Sequence, residues 1–129
     1  MLKTKTMKDA ISWFEIPVKN FARAKSFYST MLGTEITDHP MQNAQYGTFP
    51  YDMDNNRVGG AIIEADGATP SQEGVTVYLN GGDDLGIPLS RVEAAGGKVL
   101  IHKTDIGENG FMAQFLDTEG NRIALHSFA

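Results

Sequence analysis

Three side chains have the type and placement to do chemistry: Trp13, Glu15 and His126. Trp13 and Glu15 lie two residues apart in Ile11-Ser12-Trp13-Phe14-Glu15-Ile16-Pro17-Val18. In a strand they share one face, while Phe14, Ile16 and Val18 take the other. An indole on an open strand face can stack on a flat ligand, or it can fill a cavity. A desolvated carboxylate beside it can act as a general base. The plainer reading of Glu15, which is preferred, is an ion pair with a lysine or arginine. His126 stands two residues after Ala124 and shares its strand face. It can serve as an acid, a base or one metal ligand, against the plainer role of a solvated or hydrogen-bonded imidazole. His39 and His102 fall in or beside expected loops and carry no motif.

Other groupings exclude more than they offer. Asp52, Asp54, Asn55 and Asn56 lack the calcium-loop pattern with its closing glutamate and read as a hairpin turn. The glycines form no phosphate-binding loop, and no serine sits in a nucleophile elbow. With no cysteine, the chain has no disulfide framework, thiolate metal site or cysteine nucleophile.

The elements that must position these residues come in two copies. Residues 51–58 (YDMDNNRV) resemble 116–123 (LDTEGNRI) at an offset of 65, as from Asp52 to Asp117. Phe21 and Leu85, like Gly33 and Gly97, are related by 64. In the first unit, a strand over residues 11–18 leads to a helix capped by Asn20, whose side chain can accept from first-turn amides. Phe21, Ala24, Phe27, Met31 and Leu32 form its apolar stripe, and Gly33 can end it in the left-handed conformation. Strands are expected at 45–51 and 57–64, joined by the turn 52–56. Tyr46, Tyr51 and Met53 would line the mouth of any cleft there. In the second unit, Val75, Val77 and Leu79 begin a strand. Asp83 or Asp84 caps a helix that buries Leu85, Leu89, Val92 and Ala95, its regular part starting at Pro88. Strands follow at 98–101, 110–116 and 122–126, with a polar, mobile loop expected at 102–109. Which of the pairs Met112/Gln114 and Ala113/Phe115 faces a cleft is open.

The expected fold is α+β: two tandem βαβββ units, about 10–65 and 74–129, joined by a linker at about 65–73, in one domain covering 1–129. A helix covers one side of each small sheet. The uncovered sides border a central cleft, where the chemistry would sit.

Four stretches carry a family resemblance. Residues 16–28 (IPVKNFARAKSFY), Met31-Leu32-Gly33, residues 92–97 (VEAAGG) and 117–121 (DTEGN) are similar, in order, to the vicinal oxygen chelate superfamily of glyoxalase, bleomycin-resistance and extradiol-dioxygenase proteins. The resemblance covers about residues 10–129. It implies a divalent metal held by a histidine on each unit's first strand and a glutamate or similar donor on each last strand. Those positions map to Trp13, Val77, Gly59 and Ala124, none of which can coordinate such a cation. No resident cofactor or metal is therefore expected.

The preferred reading is a small-molecule-binding protein without the family metal site, resembling the antibiotic-sequestering members. Its cleft would be lined by Trp13, Glu15, Gly59, Ala61, Val77, Leu79, Ala124 and His126. One alternative is a glyoxalase-type lyase or isomerase, or a dioxygenase-like enzyme, with an atypical divalent-metal site or with Glu15 and His126 as an acid–base pair. Another is a non-catalytic subunit whose paired surface matters most. A net charge of −5 without a basic cluster argues against nucleic acid. No apolar run is long enough to cross a membrane. The first ten residues, with Lys3, Lys5 and Lys8 but no apolar block, read as a flexible lead-in, not a secretory signal. The expectations are a cytoplasmic protein and a homodimer, the latter from unpaired strand edges and from the resemblance.

Overall fold

A computed structural model describes residues 9–129. The expected lead-in lies outside the described residues as far as residue 8. Strand β1 (Trp13–Pro17) feeds helix α1 (Phe21–Leu32), followed by β2 (Thr37–His39), β3 (Ala44–Thr48) and β4 (Gly59–Ala65). The second copy runs β5 (Tyr78–Asn80), α2 (Gly86–Leu89), β6 (Lys98–Asp105), a short 3-10 turn at Gly107–Asn109, β7 (Phe111–Leu116) and β8 (Arg122–Ser127). The sheets have the same plan, β1-β4-β3-β2 and β5-β8-β7-β6, each with one parallel pair between its first and last strands. Among the described residues, no helix is long and apolar enough to cross a membrane.

Helix α1 forms for the local reasons its sequence contains. The Asn20 side chain accepts from the Arg23 amide, and Gly33 ends the helix at φ 67°. Phe21, Ala24, Phe27 and Met31 are buried as expected, and so is Tyr28. The second helix differs from expectation. Only Gly86–Leu89 is α-helical, and residues 90–96 continue as turns that still bury Val92. Pro88 sits in the first turn, where a missing N–H breaks no helical bond. The segment 102–109 also differs. Strand β6 runs on to Asp105 and pairs with β7 through two register shifts, so His102 lies on a strand. Its polar sequence suits an edge strand exposed over most of its length.

One core joins the units. Ile16, Ile62 and the α1 stripe pack in a cluster with Leu79, Phe115 and Leu125 of the second copy. The Phe27 and Phe115 rings are 5.9 Å apart. The turn between β7 and β8 then locks the units with buried polar groups. Asp117 accepts from the Glu119 and Asn121 amides and from the Tyr28 hydroxyl at 2.6 Å. Asn121 donates to the Pro17 carbonyl and accepts from the Ser71 amide. Glu119 accepts from the Lys19 and Asn20 amides and from the Arg23 guanidinium. One of the four stretches that carry the family resemblance, residues 117–121, is thus the clasp between the copies.

Candidate functional site

Strand register decides which side chains reach the uncovered sheet faces. Trp13 pairs with Gly59 and Glu15 with Ala61, while Thr48 and Tyr46 of β3 lie opposite Ala61 and Ile63. Directly paired residues share a face. Trp13, Glu15, Gly59, Ala61, Tyr46 and Thr48 therefore stand on the side of the first sheet away from α1, and Ile16 and Ile62 are buried on the other side. In the second sheet Tyr78 pairs with Ala124 and Asn80 with His126. The side chains opposite Ala124 and His126 are therefore Tyr78 and Asn80, not Val77 and Leu79. Leu79 is 5% exposed within the core and Val77 packs against it. The expectation carried the offset of 64 from the helices into β5, whereas the sheets repeat at 65: Trp13 opposite Gly59, Tyr78 opposite Ala124. One residue of slip reverses a strand's faces. Met112 and Gln114 share the uncovered face with Ala124 and His126, and Ala113 and Phe115 are core.

On the first sheet a hydrogen-bonded chain crosses this face. Trp13 Nε1–H donates to the Tyr46 hydroxyl at 2.9 Å, and that hydroxyl donates to Glu15 Oε2 at 2.7 Å. Partial burial, reinforced by the bond to Glu15, holds the Tyr46 phenol above its ordinary pKa, so its proton stays in place. Tyr51 packs edge-on against Trp13 with ring centroids 5.5 Å apart. Gly59 makes room for that ring, since a β-carbon there would collide with Tyr51. The partner of Glu15 among the described residues is thus a phenol, not the expected lysine or arginine. Tyr46 is the member of this cluster to which local spacing assigns no chemical role. Its alternation with Gly47 and Phe49 was the available signal.

A groove of about 480 Å³ runs between the units, with walls from both. Gly59, Val77 and Leu79 line it together with Tyr51 and Tyr78, so Tyr51 and Gly59 belong both to the groove and to the Trp13 cluster. A second hollow of about 390 Å³ includes Glu15, Glu73, Val77 and Arg122. Ala61 and Ala124 have no exposed surface. His126 bonds through Nε2 to the Asn109 carbonyl at 2.6 Å, which requires the proton on that nitrogen, and packs edge-on against Phe128. Glu15 and His126 take separate partners on separate sheets and share no hydrogen bond. His39, at the end of β2, bonds to Thr48. Met53 is 70% exposed.

Corrected for register, the positions that the resemblance gives to a metal are two cross-strand pairs, Trp13 with Gly59 and Tyr78 with Ala124. A single phenol is the only oxygen donor there, so the residues do not fit a divalent cation. Among the described residues no three histidine, aspartate or glutamate side chains cluster as a metal site elsewhere.

Known proteins agree with this architecture. Residues 10–125 match the model of the Glyoxalase/Bleomycin resistance protein/Dioxygenase superfamily. A relative in Mycobacterium bovis and Mycobacterium tuberculosis, named "Putative glyoxylase CFP32", is 26% identical over 117 residues, which are 88% of this chain and 44% of the relative. The chain thus spans less than half the length of those relatives. Among solved structures, a glyoxalase/bleomycin resistance protein from Streptomyces sp. CB03234 superposes with a TM-score of 0.67 at 24% identity, covering 90% of this chain and 98% of that one. Glyoxalase I from Zea mays gives 0.67 at 19% identity, covering 89% and 44%. The fosfomycin resistance protein FosX from Listeria monocytogenes gives 0.64 at 14% identity, covering 95% and 94%. With nine tenths of its length matched to one family model and its two copied units folded in the same way, the chain belongs to the glyoxalase/bleomycin resistance/dioxygenase superfamily.

Proposed function

We propose that this protein binds a small, flat, partly apolar organic molecule beside Trp13, without the metal that the vicinal oxygen chelate resemblance implies. The observation that carries the reading is the aromatic cluster of Trp13, Tyr46 and Tyr51 standing at the mapped donor position, at the edge of the apolar inter-unit groove. Ligand sites are commonly apolar hollows with a few placed polar groups, and here Glu15 is the placed group. His126 and Asn80 supply polar contacts from the second sheet, and Val77 and Leu79 contribute groove wall. Catalysis through a Glu15–His126 pair has no comparable support, because the two side chains stand on separate sheets and share no hydrogen bond.

Trp13 is the only tryptophan, so its emission reports directly on the site. Titration with flat aromatic compounds is expected to shift or quench that emission. Elemental analysis of protein purified without chelators is expected to find no stoichiometric metal. About one tightly held metal ion per chain would overturn the metal-free reading.

A further inference from the structure

We infer that the molecule bound beside Trp13 is an organic cation, a flat ring or alkylated ammonium carrying positive charge; this rests on the binding reading above. Two donors at the centre of the site are committed to its own residues. The Trp13 N–H is spent on Tyr46, and the single Tyr46 hydroxyl proton is spent on Glu15. The Trp13–Tyr46–Glu15 chain therefore offers a ligand π-faces and carboxylate oxygen, and the Tyr51 hydroxyl is the donor left in the aromatic cluster. Glu15 keeps Oε1 without a hydrogen bond or ion pair among the described residues.

The surrounding charge has the same sign. The hollow that contains Glu15 also holds Glu73, against one guanidinium, Arg122. Arg122 is itself bonded to the Gln72 and Gly74 carbonyls. Past Tyr51, the adjoining hollow sets Asp9 and Asp52 against Arg57. Each has two carboxylates to one cation. An anionic ligand would meet this repulsion, whereas a cation gains both the Glu15 carboxylate and the ring faces. Trp13 and Tyr51 meet at 79°, so one of the two rings keeps both faces clear of the other.

The test uses three ligands of one shape: N-methylquinolinium, quinoline (neutral at mildly alkaline pH) and quinoline-4-carboxylate, titrated calorimetrically. The cation is expected to bind about tenfold more tightly than quinoline, and the carboxylate more weakly than either. Glu15→Gln is expected to narrow the cation-to-neutral ratio to within about twofold, since charge attraction is lost and shape is kept. Tyr46→Phe leaves the Trp13 N–H without its acceptor, so quinoline-4-carboxylate is expected to gain affinity. Thermal unfolding of each variant checks the fold, and a variant that fails this check leaves the comparison of three ligands on the unaltered chain to decide. Equal binding of all three ligands, each dependent on Trp13, would overturn the cation inference and leave the binding reading standing. A tenfold preference that survives Glu15→Gln would overturn it in the same way. If none of them binds at millimolar concentration or perturbs Trp13, both readings fall.

Discussion

Trp13 is 36% exposed, so it covers the sheet without being sealed inside it. Trp13→Ala is expected to cost about 1–2 kcal/mol, below the roughly 3–5 kcal/mol of a fully buried large side chain. The same change is expected to abolish ligand binding, with chemical unfolding and calorimetry as the two readouts. A larger stability loss with no ligand effect from any aromatic compound would make the indole a plug. Glu119 belongs to the scaffold. Burial alone would push its pKa up, but the Arg23 guanidinium, the Asn20 and Lys19 amides and the Thr118 hydroxyl outweigh burial, and the pKa falls from 4.5 to about 2. A carboxyl that is more acidic folded than unfolded stabilises above its unfolded pKa. That stability is complete above about pH 4.5 and is lost as the pH falls through about 2. Glu119→Gln is expected to lose about 2–3 kcal/mol at neutral pH and to flatten this acid limb, as read from urea midpoints across the window. An unchanged acid slope in the variant would assign the titration to another group.

Helix α1 shows how elements are held for the site. Its first amides are satisfied from three directions: Phe21 by Glu64 of β4, Arg23 by the Asn20 cap, and Lys19 and Asn20 just before it by Glu119. Carboxylates at a helix N-terminus are favoured by its exposed N–H groups. The cap and apolar stripe were legible because both are local in sequence. Glu64 and Glu119 as partners were not, lying 43 and 99 residues from the amides of Phe21 and Asn20. Close packing limits another element. A β-carbon on Gly97 would lie 2.5 Å from the Leu116 carbonyl oxygen and 2.8 Å from the Phe27 ring. Backbone cannot yield as a side-chain tip can. Gly97→Ala is expected to destabilise by about 1–3 kcal/mol, measured by thermal or urea unfolding. A neutral result would mean that the β6 entry is looser than this packing implies.

At the scale of the whole molecule, each sheet has a helix-covered side in the common core and an open side. Trp13 and Tyr78, the latter 52% exposed, stand on those open sides, and β2 and β6 end the sheets as edges. A homodimer that pairs these edges and leaves the Trp13 site accessible is the proposed assembly. Light scattering on a size-exclusion column is expected to give twice the 14.0 kDa chain mass; a monomer throughout the micromolar range would refute it. The sequence by itself determined the two copied units, the α1 cap and stripe, and the outward face of Trp13 and Glu15. Each of these depends on residue type at local spacing or on a repeat. Tertiary structure decided what local spacing cannot hold. It set the faces of β5 through parallel pairing with β8, turning Tyr78 outward and Leu79 inward. It also drew Tyr46 between Trp13 and Glu15 from 31 residues away, because only sheet register brings those side chains to one surface.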